Sequence, residues 1–219
     1  MTQPSIAICL PCRDQVNTGF AYDLATLTAN WSARNVPSGG KLFMFTSMGT
    51  LIANQRQELV GEALNAGASH ILFLDTDMRF PKNTIDRLLA HDKPIVAANY
   101  ATRRLPIKTV AIKTSTDWDC VYTTEDKTGL EPVAAVGMGV MLIKREVFEK
   151  IELPWFIIGY NPKTFEFSGE DIFFCRQAKK AGYDILIDHD LSKEVKHIGS
   201  FEFAHDHAEA CKQESNGDN

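Results

Sequence analysis

The segment His70-Ile71-Leu72-Phe73-Leu74-Asp75-Thr76-Asp77 decides the fold that we predict for this chain. Four consecutive apolar residues, preceded by Gly67-Ala68-Ser69 and followed by Phe80-Pro81, indicate a central strand covered on both faces. The carboxylates of Asp75 and Asp77 then follow where the strand leaves the sheet. In open α/β sheets this carboxyl edge is where ligands bind. Because a bare buried charge is costly, we expect both carboxylates to be hydrated, paired or bound to a metal.

Strands and helices alternate before and after this segment. Residues 6–10 and 41–45 read as strands, and each is followed by a helical pattern, the first carrying Phe20, Leu24, Leu27 and Trp31 on one face. Further strands are predicted at residues 95–98, 133–143, 185–187 and 195–198, with short helices at 84–89 and 145–151 and a longer one at 168–181. This alternation predicts an α/β fold with a mostly parallel central sheet and helices on both of its faces.

Composition narrows the class of protein. The chain has 219 residues, of which 44% are hydrophobic and 23% charged, as in an ordinary globular protein. A net charge of -5 argues against nucleic acid as the primary partner. No apolar run reaches the roughly 20 residues that a transmembrane helix needs, and no secretion signal is recognisable, so we expect a cytoplasmic protein. We predict one domain over residues 1–211 and a polar tail over residues 212–219.

Hard oxygen ligands at Asp75 and Asp77 suit Mn²⁺ or Mg²⁺, which would bridge to phosphate oxygens. The alternative is a solvated turn, because Asp is common directly after strands. His197 follows a late strand and becomes a further metal ligand if the fold brings it beside Asp77; otherwise it is an ordinary packed or surface residue. His205-Asp206-His207 is a rival cluster, but its polar and terminal setting favours a solvated tail.

Ser168-Gly169-Glu170-Asp171 has two compatible interpretations. Ser168 and Asp171 have the spacing of a capping box at a helix N-terminus, where acidic residues are favourable. One of the two acids could equally be a general base that deprotonates an acceptor hydroxyl. The local sequence favours neither interpretation over the other.

Gly137-Met138-Gly139 lacks the spacing of a dinucleotide-binding loop. We expect the two glycines to let a ligand approach the backbone, the alternative being a β-bulge. Arg56, on the second predicted helix, and Arg103 are candidate phosphate clamps, although exposed arginines usually need no special explanation.

Taken in order, these motifs resemble the nucleotide-sugar glycosyltransferases of the GT-A fold, in particular their small bacterial and viral members. The resemblance covers most of the chain. It rests on the N-terminal strand and loop, on the segment from Ile71 to Phe80 and on three further stretches, namely Val136-Gly137-Met138-Gly139-Val140-Met141-Leu142-Ile143-Lys144-Arg145, Gly169-Glu170-Asp171 and Lys196-His197-Ile198-Gly199. Each motif is weak alone, whereas the ordered set is fairly specific.

The resemblance implies a role for each matching residue. Asp75, Asp77 and His197 would bind Mn²⁺ or Mg²⁺, with Asp77 the direct ligand among the two acids, and Asp171 would be the catalytic base beside Glu170. The residues implied at the nucleotide are Pro11, Cys12, Arg13, Arg56, Asp75 and Thr76. Those implied at the donor sugar or the acceptor are Arg103, Gly137, Met138, Gly139, Trp155 and Glu170. Arg56 is the least secure of these, because related sequences often have Ala-Arg-Asn where this chain has Asn54-Gln55-Arg56-Gln57.

The expected activity is therefore transfer of a sugar from a nucleotide-diphosphate donor, most often UDP-linked in this family, to a saccharide or other hydroxyl acceptor. Two alternatives remain. A nucleotidyltransferase also uses acids at a sheet edge, but residues 12–15 lack its glycine-rich and basic signature. A nucleotide- or carbohydrate-binding domain without turnover is the non-enzymatic alternative, against which the retained Asp171 and His197 argue.

Overall fold

The computed structural model describes residues 3–103, 106–114, 119–162 and 165–199, and the side chains of residues 161 and 166 are not described. The strands are β1 (Ser5–Cys12), β2 (Lys41–Met48), β3 (His70–Leu74), β4 (Met78–Arg79), β5 (Ile95–Ala97), β6 (Leu130–Val133), β7 (Val140–Lys144), β8 (Gly159–Asn161), β9 (Glu166–Ser168), β10 (Ile185–Asp188) and β11 (Lys196–His197). The helices are α1 (Thr18–Asn35), α2 (Ile52–Asn65), α3 (Thr84–Ala90), α4 (Arg145–Lys150), α5 (Glu170–Lys180) and α6 (His189–Ser192), with a short 3-10 helix at Val36–Ser38.

One central sheet has the strand order β2-β1-β3-β7-β5-β10-β6. β1, β2, β3, β5 and β10 run in the same direction, while β7 and β6 are antiparallel to their neighbours. The predicted α/β class with a mostly parallel sheet is confirmed. The single strand predicted at residues 133–143 is wrong, because residues 134–139 leave the sheet and separate β6 from β7.

The core lies on both faces of this sheet, and β3 contributes to each. Ile71 and Phe73 pack into the cluster covered by α2, whereas Leu72 and Leu74 pack into the cluster covered by α1, and all four are fully buried. Burying one such side chain contributes about 1.5–3 kcal/mol. β3 is therefore the buried central strand that its sequence predicts, and its end is held rigidly.

Helix α1 illustrates how the helices are specified. The side chain of Asn17 accepts a hydrogen bond from the backbone N–H of Gly19 and caps the first turn. Phe20, Leu27 and Trp31 are buried against the sheet, as their spacing predicts.

Within the polar stretch at residues 99–131, the described residues form isolated bridges, which join Ala101 to Thr109 and Ile112 to both Cys120 and Ala135. Buried Asn99 fixes this stretch, because its side chain donates to the carbonyl of Val121 and accepts from the backbone N–H of Ala111.

Residues 200–219, which include the His205–His207 cluster and the tail predicted at 212–219, lie outside the described residues. Among the described residues, no helix combines the length and the apolar character needed to cross a bilayer.

Candidate active site

The turn after β3 is fixed by backbone hydrogen bonds from two directions. The N–H of Asp75 donates to the carbonyl of Gly139 at 3.0 Å, and the N–H of Met78 closes the turn onto the carbonyl of Asp75 at 3.1 Å. On the other side, the N–H of Ile198 donates to the carbonyl of Asp77 at 2.7 Å. Because both carboxylates are attached to this braced turn, their positions are set by the sheet rather than by a free loop.

Pairing between β4 and β11 brings the late histidine to the same edge. The two strands form a small antiparallel sheet in which His197 is opposite Met78. The Nε2 atom of His197 lies 3.5 Å from Oδ2 of Asp77, and its Nδ1 lies 2.9 Å from the carbonyl of Ala101. Since a carbonyl can only accept, Nδ1 donates to Ala101, and Nε2 is the ring nitrogen that faces the carboxylate of Asp77.

Asp77 has a second cationic neighbour. The Nη1 atom of Arg103 lies 2.8 Å from Oδ2 of Asp77, although this arginine side chain is 49% exposed. Partial burial acts to raise the pKa of Asp77, but the neighbouring His197 and the charge of Arg103 outweigh it and lower that pKa. Asp77 is therefore ionised at neutral pH, as a metal ligand must be.

Asp75 is instead held by Arg56. Nη2 of Arg56 is 2.9 Å from Oδ1 of Asp75, and Nε is 3.0 Å from Oε1 of Glu170. The guanidinium is only 2% exposed and lies 5.1 Å from the centre of the Phe73 ring. Its Nη1 atom has no hydrogen-bond partner among the described residues.

Burial raises the pKa of the Asp75 carboxyl, and the charge of Arg56 opposes that shift. Arg56 therefore holds the carboxylates of Asp75 and Glu170 from the buried side of the site. Arg56, which the sequence suggests as a candidate phosphate clamp, is thus engaged by the carboxylates of Asp75, directly after β3, and Glu170, on α5.

The metal expectation can be tested on the donor atoms. Among the described residues there is no group of three or more His, Cys, Asp or Glu side chains that could hold a metal ion, so Asp75, Asp77 and His197 do not form a three-ligand centre. Arg56 engages Asp75, which leaves a carboxylate and an imidazole nitrogen at Asp77 and His197. That pair fits Mn²⁺ or Mg²⁺ bound by few protein ligands, with phosphate and water oxygens completing the shell.

Asp171 occupies the first turn of α5. Its Oδ1 accepts a hydrogen bond from the N–H of Ile172 at 2.7 Å. A Cβ atom at Gly169 would meet this oxygen at 2.3 Å, so the carboxylate can take this position only above a glycine. Burial, followed by the negative charge of Glu170, raises the pKa of Asp171 to about 6. Such a pKa suits a general base that works near neutral pH.

The capping box predicted at Ser168 is wrong. Ser168 ends β9, Gly169 occupies the N-cap position, and no side chain caps the helix. Glu170 is bound to Arg56, whereas Asp171 faces open space, and this difference separates the roles of the two acids.

Three neighbouring cavities, which share lining residues, lie at the carboxyl edge of the sheet. The first, of about 600 Å³, is lined by Pro11, Cys12, Arg13, Gln15, Gly49, Thr50, Ile52, Gln55, Asp75, Thr76, Asp77, Arg103 and His197. The middle one, of about 540 Å³, is lined by Tyr100, Thr102, Arg103, Val110, Gly137, Asp171, His197 and Gly199. The third, of about 620 Å³, is lined by Thr102, Lys108, Thr109, Val110, Ile112, Cys120, Phe167, Gly169, Asp171 and Ile172.

The residues that these cavities share define their order. Arg103 and His197 line both the first and the middle cavity, and Asp171 lines both the middle and the third. The cleft therefore runs past the candidate metal ligands and then past the candidate base. Pro11, Cys12, Arg13 and Thr76, which the resemblance implies at a nucleotide, are brought together in the first cavity.

The glycine motif at residues 137–139 packs differently from our expectation. A Cβ atom at Gly137 would lie 2.4 Å from the hydroxyl of Tyr100, and that hydroxyl accepts a hydrogen bond from the N–H of Gly139 at 3.0 Å. Met138 is 1% exposed and belongs to the core. Of the three, Gly137 lines the cleft, and the close approach that the glycines permit is that of Tyr100.

Trp155 does not line these three cavities, contrary to expectation. Its indole N–H donates to the carbonyl of Phe148, and its ring packs on that of Phe148 with centroids 5.4 Å apart. The side chain is 9% exposed, so its role is in the core.

Three site residues were missed by the sequence argument. Tyr100 lines the middle cavity beside Gly137, Gln55 holds the end of β1 by donating to the carbonyl of Cys12 at 2.6 Å, and Phe167 lines the third cavity. Only Phe167 had a local signal, since this apolar residue directly precedes Ser168-Gly169-Glu170-Asp171.

Fold and site together define an α/β domain with an acidic cleft at the carboxyl edge of its sheet. No protein-family model matches the chain, and no curated protein matches it either. Among solved structures, the chain is similar to A197 from STIV, with a TM-score of 0.53 and 16% identity over 92% of this chain and 100% of that chain. This likeness shows a shared fold.

Two further structures are more distant. S. aureus TarS 1–349 matches with a TM-score of 0.49 and 13% identity, over 89% of this chain and 60% of that chain. A glycosyltransferase involved in the glycosylation of the major capsid of PBCV-1 matches with a TM-score of 0.36 and 16% identity, over 69% of each chain. At these TM-scores, neither structure supports a conclusion about the activity of this chain. The groups in the cleft are the basis for proposing one.

Proposed function

We propose that this protein is a metal-dependent glycosyltransferase that moves a sugar from a nucleotide-diphosphate donor, UDP-linked in the first instance, to a hydroxyl acceptor. The order of groups along the cleft carries the proposal. His197, which lies beside Asp77, lines both the first and the middle cavity, and Asp171 lines both the middle and the third. This order suits a nucleotide, a donor sugar and an acceptor placed in line.

The first cavity suits a nucleotide diphosphate. Asp77 and His197 would hold Mn²⁺ or Mg²⁺ at its inner end, and this cation supplies stabilisation of the negative charge that develops on the departing diphosphate. Arg103, 2.8 Å from Asp77, is placed to contribute a further positive charge.

Asp171 is the residue that we assign as base. Its carboxylate accepts the proton of the acceptor hydroxyl as the oxygen forms a bond to the anomeric carbon of the donor sugar. The bond from that carbon to the phosphate oxygen breaks, and its electron pair leaves with the nucleoside diphosphate. Glu170 cannot take this role while Arg56 binds it, so the buried ion pair leaves Asp171 as the available acid.

A thermal-shift panel of UDP-, GDP-, CMP- and dTDP-linked sugars, each with and without Mn²⁺, tests the proposal. We expect at least one nucleotide sugar to raise the melting temperature, and to do so more in Mn²⁺. Nucleoside triphosphates are added to the panel, because they would stabilise a nucleotidyltransferase instead. The proposal fails if no nucleotide sugar stabilises the wild-type protein in Mn²⁺.

Two variants test which residues cause the part of the melting-temperature increase that depends on Mn²⁺. Asp77→Asn and His197→Ala should each abolish it, because each removes one of the two donor groups. Asp92→Asn is the matched control, since Asp92 is an 88% exposed carboxylate that precedes β5 at the opposite edge of the sheet. If Asp77→Asn retains the full Mn²⁺ effect, the ligand assignment is wrong.

A further inference from the structure

The third cavity has properties that the donor does not explain. It lies beyond Asp171 from the first cavity and shares Thr102, Val110 and Asp171 with the middle one. A molecule in this cavity would thus reach the carboxylate of Asp171 from the side opposite the donor. Its volume of about 620 Å³ is enough for one or two sugar rings or for a group of similar size.

An exposed aromatic side chain forms one wall of this cavity. Phe167 is 71% exposed and stands on β9, four residues before Asp171. Tyr160, on the paired strand β8, supports it, with ring centroids 5.0 Å apart and an interplanar angle of 45°. The hairpin therefore presents a supported aromatic surface to a ligand.

The same cavity is also lined by polar groups. Oγ1 of Thr102 accepts a hydrogen bond from the backbone N–H of Lys108 at 3.1 Å, and its own O–H has no acceptor among the described residues. The side chain of Lys108 lies at the exposed rim. A ligand with one apolar face and a polar edge would match the aromatic side chain and these polar groups at once.

We propose that the third cavity binds the acceptor and that the acceptor is a saccharide whose pyranose ring stacks on Phe167. This inference rests on the proposed glycosyltransferase function. A pyranose presents a face of C–H groups, which packs on an aromatic ring, and a rim of hydroxyls, which reaches Thr102 and Lys108. One hydroxyl of the stacked ring then points to Asp171, the base. A purely aliphatic alcohol would leave the polar groups of the cavity without partners, which is unfavourable.

Saturation-transfer NMR on the full chain, with UDP and Mn²⁺ present, tests the saccharide class directly. The probes are the methyl pyranosides of glucose, galactose, mannose and N-acetylglucosamine, together with hexanol and a short serine-containing peptide. We expect transferred saturation on the ring C–H protons of at least one pyranoside. Absence of signal from all four pyranosides, or signal from hexanol or the peptide alone, would overturn the inference.

Variants of Phe167 test the stacking surface. Phe167→Tyr keeps the aromatic face and should keep the signal, whereas Phe167→Leu keeps apolar area but loses the face and should weaken binding by about fivefold to tenfold. Phe165→Leu is the matched control, because Phe165 is 78% exposed on the same hairpin and lines none of the three cavities. Equal binding by the Phe167→Leu and wild-type proteins would refute the role of Phe167.

The thermal shift with UDP and Mn²⁺ distinguishes a failure of the saccharide inference from a failure of the proposed function. The Phe167 variants should keep the wild-type thermal shift with UDP and Mn²⁺, because Phe167 does not line the first cavity. If this shift is present and no pyranoside binds, the saccharide inference is wrong and the proposed function stands. If neither UDP nor any nucleotide sugar of the panel produces a shift in the wild-type protein, the proposed function fails and the inference fails with it.

Discussion

Replacing Arg56 by methionine should destabilise the fold severely. The guanidinium is 2% exposed and joins Asp75 to Glu170, whose side chains are 25% and 10% exposed. Methionine fills similar volume but leaves two carboxylates close together without a cation. Removing one partner of a buried ion pair costs about 3–5 kcal/mol. For a domain of this size, each kcal/mol lowers the melting temperature by about 2–4 °C, so we expect a fall of roughly 6–20 °C.

Urea unfolding and thermal melts of Arg56→Met measure this loss. Arg34→Met is the control, because Arg34 is 52% exposed and its partner Asp86 is 31% exposed, and such a surface pair contributes about 0–1 kcal/mol. The triple variant Arg56→Met, Asp75→Asn, Glu170→Gln should recover part of the stability, since it removes the unpaired charges. If the free energy of unfolding of Arg56→Met lies within about 1 kcal/mol of the wild-type value, Arg56 does not stabilise the fold through its buried ion pairs with Asp75 and Glu170.

Four further outcomes follow from the site. Because the pKa of Asp171 is raised to about 6 in the folded state, ionising this carboxyl lowers the stability of the fold as pH rises from about 4 through 6. In thermal melts, Asp171→Asn should therefore stabilise the protein at pH 8, by up to about 3 kcal/mol, and have little effect at pH 4. Transfer should rise with pH through about 6 in the wild type, and a pH-independent rate between 5 and 7 would contradict the role of Asp171 as base. Gly137→Ala should cost about 1–3 kcal/mol in urea unfolding because its Cβ meets the hydroxyl of Tyr100, whereas Gly61→Ala, with nothing within 4 Å on α2, should be neutral or stabilising; equal effects would contradict the close packing. Arg103→Gln should tighten Mn²⁺ binding measured by calorimetry without nucleotide, since it removes a cation 2.8 Å from Asp77, and weaker binding would show that Arg103 does not compete with the metal.

The features of the fold that could be predicted are those with strong local periodicity. The apolar run at residues 71–74 predicted a buried strand, and Phe20, Leu27 and Trp31 predicted the buried face of α1. The division of residues 130–144 into two strands, each antiparallel to its neighbours in the sheet, could not be predicted in this way. Residues 132–143 contain no polar side chain, and the close packing at Gly137 involves Tyr100 from another part of the chain.

The site was predictable in its residue types but not in its pairings. His197 reaches Asp77 through two strands of two residues each, which are too short to show a period. Arg56 binds partners 19 and 114 residues away, so its helix alone could not reveal that it is buried. Trp155 sits in an irregular aromatic stretch, where sequence does not distinguish a core side chain from one that lines a cleft.

Calorimetric titration of UDP into the wild-type protein, with Mn²⁺ and then with a chelator, tests the central claim most directly. The proposed order of groups along the cleft predicts saturable binding in Mn²⁺ that is lost or much weakened in the chelator, since Asp77 and His197 would bind the diphosphate only through the cation. Absence of binding in both conditions, or equal affinity in both, would contradict a metal-dependent nucleotide site at the end of β3.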